Sequence, residues 1–213
     1  MNVLSGLFSF MDLDFSGDPD LDTKEHSGKF EDLAREANYY FEKHCVITQD
    51  AHVLQMFRLP LGKNESMMNL DQDKPVVFLQ HGVLDSADTW ILNGKKSIGF
   101  QLADLGYDVW LGNIRGNKYC LAKVGERDAY LKKSFWDFTW QDSARYDLKA
   151  MFDYVYDKTN RDIIYIGHSQ GCIMMWAALG DPETSVYFNN RVKLFIAVGP
   201  ALFIDNTKSK LLR

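Results

Sequence analysis

The stretch from Asp162 to Trp176 reads DIIYIGHSQGCIMMW. A short β-branched run meets Gly167-His168-Ser169-Gln170-Gly171 and passes at once into apolar residues spaced for a helix. G-x-S-x-G between a strand and a helix makes a sharp turn that holds the serine in a strained backbone geometry and presents its hydroxyl outward. Side chains two residues to either side would collide, hence Gly167 and Gly171. The first helical N–H groups beyond the turn have no partner in their own helix, and the helix dipole adds positive potential there. Such a space suits an oxyanion. The bare pattern occurs by chance in roughly one chain of this length in fifteen, so the flanking strand and helix give it its weight.

The rest of the chain repeats the same rhythm. Val76 to Leu79, Tyr107 to Leu111, Ile163 to Ile166 and Leu194 to Val198 are short, nearly unbroken apolar runs of the kind buried on both faces of a parallel sheet. Helical spacing separates them: Ile98, Leu102 and Leu105, then Trp140, Ala144, Leu148, Met151, Phe152 and Val155, then Met175, Trp176 and Leu179. The alternation predicts an α/β fold, a mostly parallel sheet with helices on both faces. Upstream, Phe30, Leu33, Ala34, Ala37 and Phe41 fall at helical spacing, and Cys45–Thr48 and Val53–Phe57 flank a turn that predicts a hairpin. Residues 1 to 28 show no sustained periodicity and read as a flexible arm, leaving 29 to 213 as the domain.

Composition excludes several function classes. The chain has 213 residues, 46% of them hydrophobic, enough for one sizeable core. A net charge of -5, with basic residues paired at most, speaks against a nucleic-acid partner. Three scattered cysteines, Cys45, Cys120 and Cys172, form no closed disulfide framework and read as buried thiols. No pattern calls for a metal or a cofactor. No apolar run is long enough for a transmembrane helix, and the mildly apolar Val3–Phe10 lacks the preceding basic residues of a secretory signal.

The end of the Val76–Gln80 run leads into His81-Gly82-Val83-Leu84-Asp85. The loop after the third strand is where this architecture places its second oxyanion donor, so the Val83 N–H joins that of Gln170 as a candidate. Gly82 permits close backbone approach, and His81 reads as a structural histidine ahead of a proton-transfer role. Arg115, in Gly112–Tyr119, reads as a brace ahead of a substrate contact. The aromatic group Phe135, Trp136, Phe138 and Trp140 reads as core ahead of a lipid-docking surface.

With these residues in hand, the sequence resembles the acid lipases, the gastric and lysosomal group. The resemblance runs from about Tyr39 onward through Glu42–Asp50, Phe57–Pro60, His81–Trp90, Gly112–Tyr119, Phe135–Phe138 with Tyr146–Leu148, and Gly167–Gly171. It implies an α/β-hydrolase fold, Ser169 as nucleophile, Val83 and Gln170 as oxyanion donors, and a triacylglycerol or sterol ester as substrate with transient contact at a lipid interface. It also implies a lysosomal or secreted compartment, which no signal in the sequence supports. Ala51 stands where the family usually has Gly, Cys120 where Ser is usual, and Cys172 where Thr is common.

A serine hydroxyl needs a base, and in this fold the order is Ser, then Asp or Glu, then His. His26, His44, His52, His81 and His168 all precede Ser169, and no histidine occurs after it. Leu194–Ile204 followed by Asp205–Leu212 resembles the family's sixth strand and the approach to its lid, so the sequence reads as an N-terminal hydrolase portion without lid, last strands, acid or histidine. The expectation is an ester hydrolase whose 213-residue chain is inactive alone. The alternative is a catalytically silent short protein that binds lipid or a partner.

Overall fold

The computed structural model describes residues 30–70 and 72–201. The arm expected at 1–28 and the lid approach at 205–212 lie outside the described residues. Chain order runs α1 (Phe30–Glu36), β1 (Glu42–Ile47), β2 (His52–Leu59), β3 (Val76–Gln80), α2 (Ile98–Asp104), β4 (Asp108–Gly112), β5 (Ala122–Lys123), α3 (Trp140–Asp142), α4 (Leu148–Thr159), β6 (Ile163–His168), α5 (Gln170–Gly180), α6 (Ser185–Asn189) and β7 (Val192–Val198).

One seven-stranded sheet has the order β1-β2-β4-β3-β6-β7, with β5 beside β2. From β4 to β7 neighbouring strands are parallel, whereas β1 and β2 add an antiparallel ribbon onto β4. Every residue of β3 and β4 is buried, as their unbroken apolar runs require. On one face Phe78, Trp110 and Tyr165 lie in register and pack under α4, α5 and α6 with Phe152 and Phe188. On the other, Val77, Leu79, Val109, Leu111 and Ile166 meet Phe30, Ala34, Phe100 and Ala103 of α1 and α2.

The first helix stops sooner than the spacing of Phe41 suggests. Asn38 adopts a left-handed φ of 60°, its N–H donates to the Arg35 carbonyl, and the Tyr39 N–H reaches back to Ala34. This is a Schellman ending, and asparagine is one of the few side chains that tolerates its backbone. In the β1–β2 turn, Ala51 takes φ 72°, held by Thr48, whose N–H donates to the His52 carbonyl and whose Oγ1 accepts from the His52 N–H. Ala51 therefore occupies the strained conformation for which glycine is the usual residue.

Register places the site. Gln80 lies opposite both Gly112 and Gly167, so the loops leaving β3, β4 and β6 emerge side by side. These are the carboxyl ends of parallel strands, where an open α/β sheet collects its reactive groups.

Candidate active site

Ser169 sits between β6 and α5 with φ 50° and ψ -109°, a conformation costly for a residue with a Cβ. Its N–H donates to the Val198 carbonyl at 3.0 Å, and its carbonyl accepts from Cys172 and Ile173 in the first turn of α5. The flanking glycines are there for space. A Cβ on Gly167 would lie 2.8 Å from the Gly171 carbonyl carbon, and one on Gly171 would lie 2.7 Å from the Gln80 carbonyl oxygen. Neither obstacle is a side chain that could swing aside.

Two buried groups, Cys172 and a Tyr165 hydroxyl for whose partner the sequence offers no signal, tie the turn down. The Tyr165 hydroxyl donates to the Gly171 carbonyl at 2.8 Å, and the Cys172 thiol to the Gly167 carbonyl at 3.0 Å. Burial pushes the pKa of both groups up, so both stay protonated as donors. Cys172 thus makes a hydrogen bond that a threonine hydroxyl could make. Cys120 is likewise buried, bonded to the Gln55 N–H and the Asn113 carbonyl, whereas Cys45 is only half-buried.

The β3 loop lies against the serine. A Cβ on Gly82 would come within 3.1 Å of Ser169 Cβ and of His168 Nδ1, so glycine is what allows this approach. Among the described residues neither the Val83 nor the Gln170 N–H has a protein acceptor. His81 is buried, and burial holds its pKa below the ordinary value. Its Nδ1 donates to the Gly82 carbonyl at 2.7 Å, while Nε2 accepts from the Ile114 N–H at 3.4 Å and from Asn117 Nδ2 at 3.2 Å. His168 is half-buried beside Gly82 and Gly199.

Arg115 braces the next loop. Its backbone N–H and Nε donate to Asp147 at 3.0 and 2.8 Å, and its Nη1 and Nη2 donate to Asp50 at 2.5 and 2.8 Å. Against the opposing effect of burial, these carboxylates hold the guanidinium well above its usual pKa. Asp147 itself is fully buried at the end of a five-residue π turn, Ser143–Asp147, which joins α3 to α4. Aromatic faces of Phe138 and Tyr146 lie 5.8 and 5.7 Å from the Arg115 carbon. Of the aromatic group, Phe135 is buried, whereas Trp136 and Trp140 are partly exposed.

The chemistry on offer is a hydroxyl in a strained turn, a close glycine loop and two N–H groups without protein acceptors. Among the described residues no histidine ring bonds to Ser169, and His81 is committed to the loop. No described helix is long and apolar enough to cross a membrane.

Comparison with known proteins bears on the family and the fold. A family described as "alpha/beta hydrolase fold" matches residues 75–212, and one described as "Partial alpha/beta-hydrolase lipase region" matches residues 30–94. The chain is 39% identical over 181 residues to triacylglycerol lipase 1 of Arabidopsis thaliana, covering 84% of this chain and 43% of the relative. It is 43% identical over 175 residues to gastric triacylglycerol lipase of Bos taurus, covering 80% of this chain and 42% of the relative. The chain therefore spans less than half the length of these relatives. Among solved structures it is similar to a Pyrococcus furiosus esterase, at TM-score 0.56 and 17% identity over 81% of this chain and 56% of that one, a likeness of fold alone.

Proposed function

Because the chain belongs to the α/β-hydrolase family, we propose that it is the nucleophile-bearing part of an acid-lipase-type ester hydrolase acting on triacylglycerols or sterol esters. Ser169 is the nucleophile, and the Val83 and Gln170 N–H groups receive the charge that develops on the ester carbonyl oxygen. The observation that carries this reading is the left-handed Ser169 between β6 and α5, with Gly82 packed against it. The names of the relatives supply the triacylglycerol, and the resemblance to the acid lipases adds the sterol ester.

In this reading Ser169 Oγ attacks the ester carbonyl carbon, the carbonyl electrons move onto oxygen, and the collapse of that oxyanion expels the alcohol to leave an acyl-enzyme. The proton leaving Oγ needs a base. His81 is unsuited, since its Nδ1 proton and Nε2 lone pair are both engaged. The 213-residue chain alone accordingly turns over poorly, at about the residual 10³ to 10⁴ over water that an oxyanion hole and binding supply.

The test is hydrolysis of a short-chain chromogenic ester, with fluorophosphonate labelling, for the 213-residue chain, its Ser169→Ala variant and a longer product of the same gene that includes a downstream histidine. The reading expects Ser169-dependent turnover in the longer product. Rapid turnover by the short chain that survives Ser169→Ala would overturn the assignment of Ser169.

A further inference from the structure

We propose that His81 is a positioning residue that aims and polarises the Val83 N–H, a role that rests on the oxyanion-hole reading above. The Gly82 carbonyl and the Val83 N–H belong to one peptide group. In a trans peptide these two dipoles point in opposite directions, and no described peptide is cis. His81 Nδ1 holds that carbonyl at 2.7 Å in the protein interior. The same bond therefore turns the Val83 N–H the other way, out of the loop on which Gly82 packs against Ser169.

The ring has only one tautomer that fits its partners. Ile114 N–H and Asn117 Nδ2 both donate to Nε2, so Nε2 must carry the lone pair and Nδ1 the proton. Asn117 Nδ2 also donates to Asn113 Oδ1 at 2.8 Å, while Asn113 Oδ1 accepts from the Ala87 N–H and Asn113 Nδ2 donates to the Gln55 carbonyl. Arg115, between these asparagines, is fixed by Asp147 and Asp50. The β4 loop thus sets the His81 proton, and His81 sets the peptide. A hydrogen bond on a peptide carbonyl also strengthens the donor on the same peptide, and burial keeps the ring neutral, as this arrangement requires.

The test uses the 213-residue chain. Nitrogen-15 NMR of the His81 ring should show Nδ1 protonated and Nε2 bare at neutral pH. An Nε2–H tautomer or an imidazolium would overturn the proposal. Phenylboronic acid, which forms a tetrahedral anionic adduct with a serine hydroxyl, then probes the hole through the Val83 and Gln170 amide signals. His81→Leu, which cannot donate, should shift the Val83 amide signal of the free protein and weaken boronate binding by up to about 10²-fold, the effect of a displacement near 1 Å. His81→Asn, whose amide nitrogen stands close to the Nδ1 position, should restore most of both. Unchanged Val83 signals and affinity in folded His81→Leu, or failure of His81→Asn to rescue, would overturn it. Boronate binding that persists in Ser169→Ala would instead remove the assignment of Ser169. If no amide responds to boronate in the wild type, the ring tautomer and the Val83 signal in the variants decide.

Discussion

The two ends of the parallel part of this sheet are built differently. At the carboxyl ends of β3, β4 and β6, buried charges and polar side chains hold each loop: Arg115 between Asp147 and Asp50, His81 between Gly82 and Asn117, Tyr165 under Gly171. At the β7 edge nothing comparable is found among the described residues. Among the described residues β7 pairs only with β6, and Leu194, Ile196 and Val198, which share a face, are 50, 40 and 40% exposed. On the opposite face Phe195 is half-buried, edge-on to Tyr165 and Trp176, and Ala197 is exposed. Precision is concentrated around Ser169, and an apolar strand is left bare a few ångströms from it, since the Val198 carbonyl accepts the Ser169 N–H.

The sharpest way to break this contrast is to remove one partner from the buried ion group. Arg115→Met leaves Asp147 fully buried without its counter-charge, and burial, which already raises this carboxyl's pKa from 3.8 to about 6, then drives it to take up a proton. Loss of one member of such a pair typically costs about 3–5 kcal/mol. Urea unfolding of Arg115→Met should show a loss of that size, and adding Asp147→Asn should recover part of it. A cost below about 1 kcal/mol would mean that the loop is no better held than an exposed surface.

Next in size is the elbow. Gly171→Ala puts a methyl group 2.7 Å from the Gln80 carbonyl, where only backbone could yield, and an overpacked site of this kind costs about 1–3 kcal/mol. Gly180→Ala, at the far end of the same helix, meets nothing within 4 Å and should stabilise by roughly 0.4–1 kcal/mol. Thermal unfolding of the two variants side by side separates crowding at the turn from a general helix effect. Equal behaviour would undo the spatial account of Gly171.

Much of this architecture is legible in the sequence because it is local. β3, β4 and β6 lie within a residue or two of their apolar runs, and G-x-S-x-G marks the left-handed Ser169. Other features are not local. Asp50 and Asp147 reach Arg115 from 65 and 32 residues away, and no periodicity connects an ion pair to its partners. The π turn that carries Asp147 inward is invisible to a helical spacing of 3.6, and Tyr165 declares only that its buried hydroxyl must find an acceptor. The early stop of α1 could have been found, since Asn38 is a residue type that favours a left-handed ending. The antiparallel placement of β1 and β2 beside β4 follows from pairing that the hairpin signal does not specify.

The braced end also carries a pH dependence that Leu194, Ile196 and Val198 cannot. His52 in the β1–β2 hairpin packs on Phe135 and Phe138, and burial, with the nearby Arg115 charge, lowers its pKa from 6.5 to about 4. As pH falls below 6.5 the unfolded chain takes up this proton while the folded chain does not, so the stabilising difference is full above 6.5 and lost on the way to about 4. His81 acts in the same direction. Asp50, held below its ordinary value by Arg115 and Thr48 against the effect of burial, adds a further loss at lower pH. Denaturant unfolding at pH 7 and pH 5 should show the wild type losing roughly 1–2 kcal/mol more than His52→Leu. Identical losses would place the dependence elsewhere.

The smallest effect on folding belongs to the bare face of β7. Leu194 and Ile196 are half-exposed, so replacing both with threonine forfeits little burial and retains a side chain suited to a strand. The expected change in unfolding free energy is within about 0.5 kcal/mol, as for surface substitutions generally. Contiguous exposed apolar surface and an unpaired strand edge are nevertheless what dyes and other chains adhere to. The Leu194→Thr, Ile196→Thr variant should therefore bind a hydrophobic dye less and stay monodisperse at higher concentration, measured by fluorescence and light scattering. Ser169-side geometry should be untouched, because both side chains lie on a different strand from the elbow and neither hydrogen-bonds to it. A stability loss near 2 kcal/mol would be the cost of removing apolar surface that is covered in solution, and would show that the strand has a partner and that the two ends of the sheet are more alike than their side chains suggest.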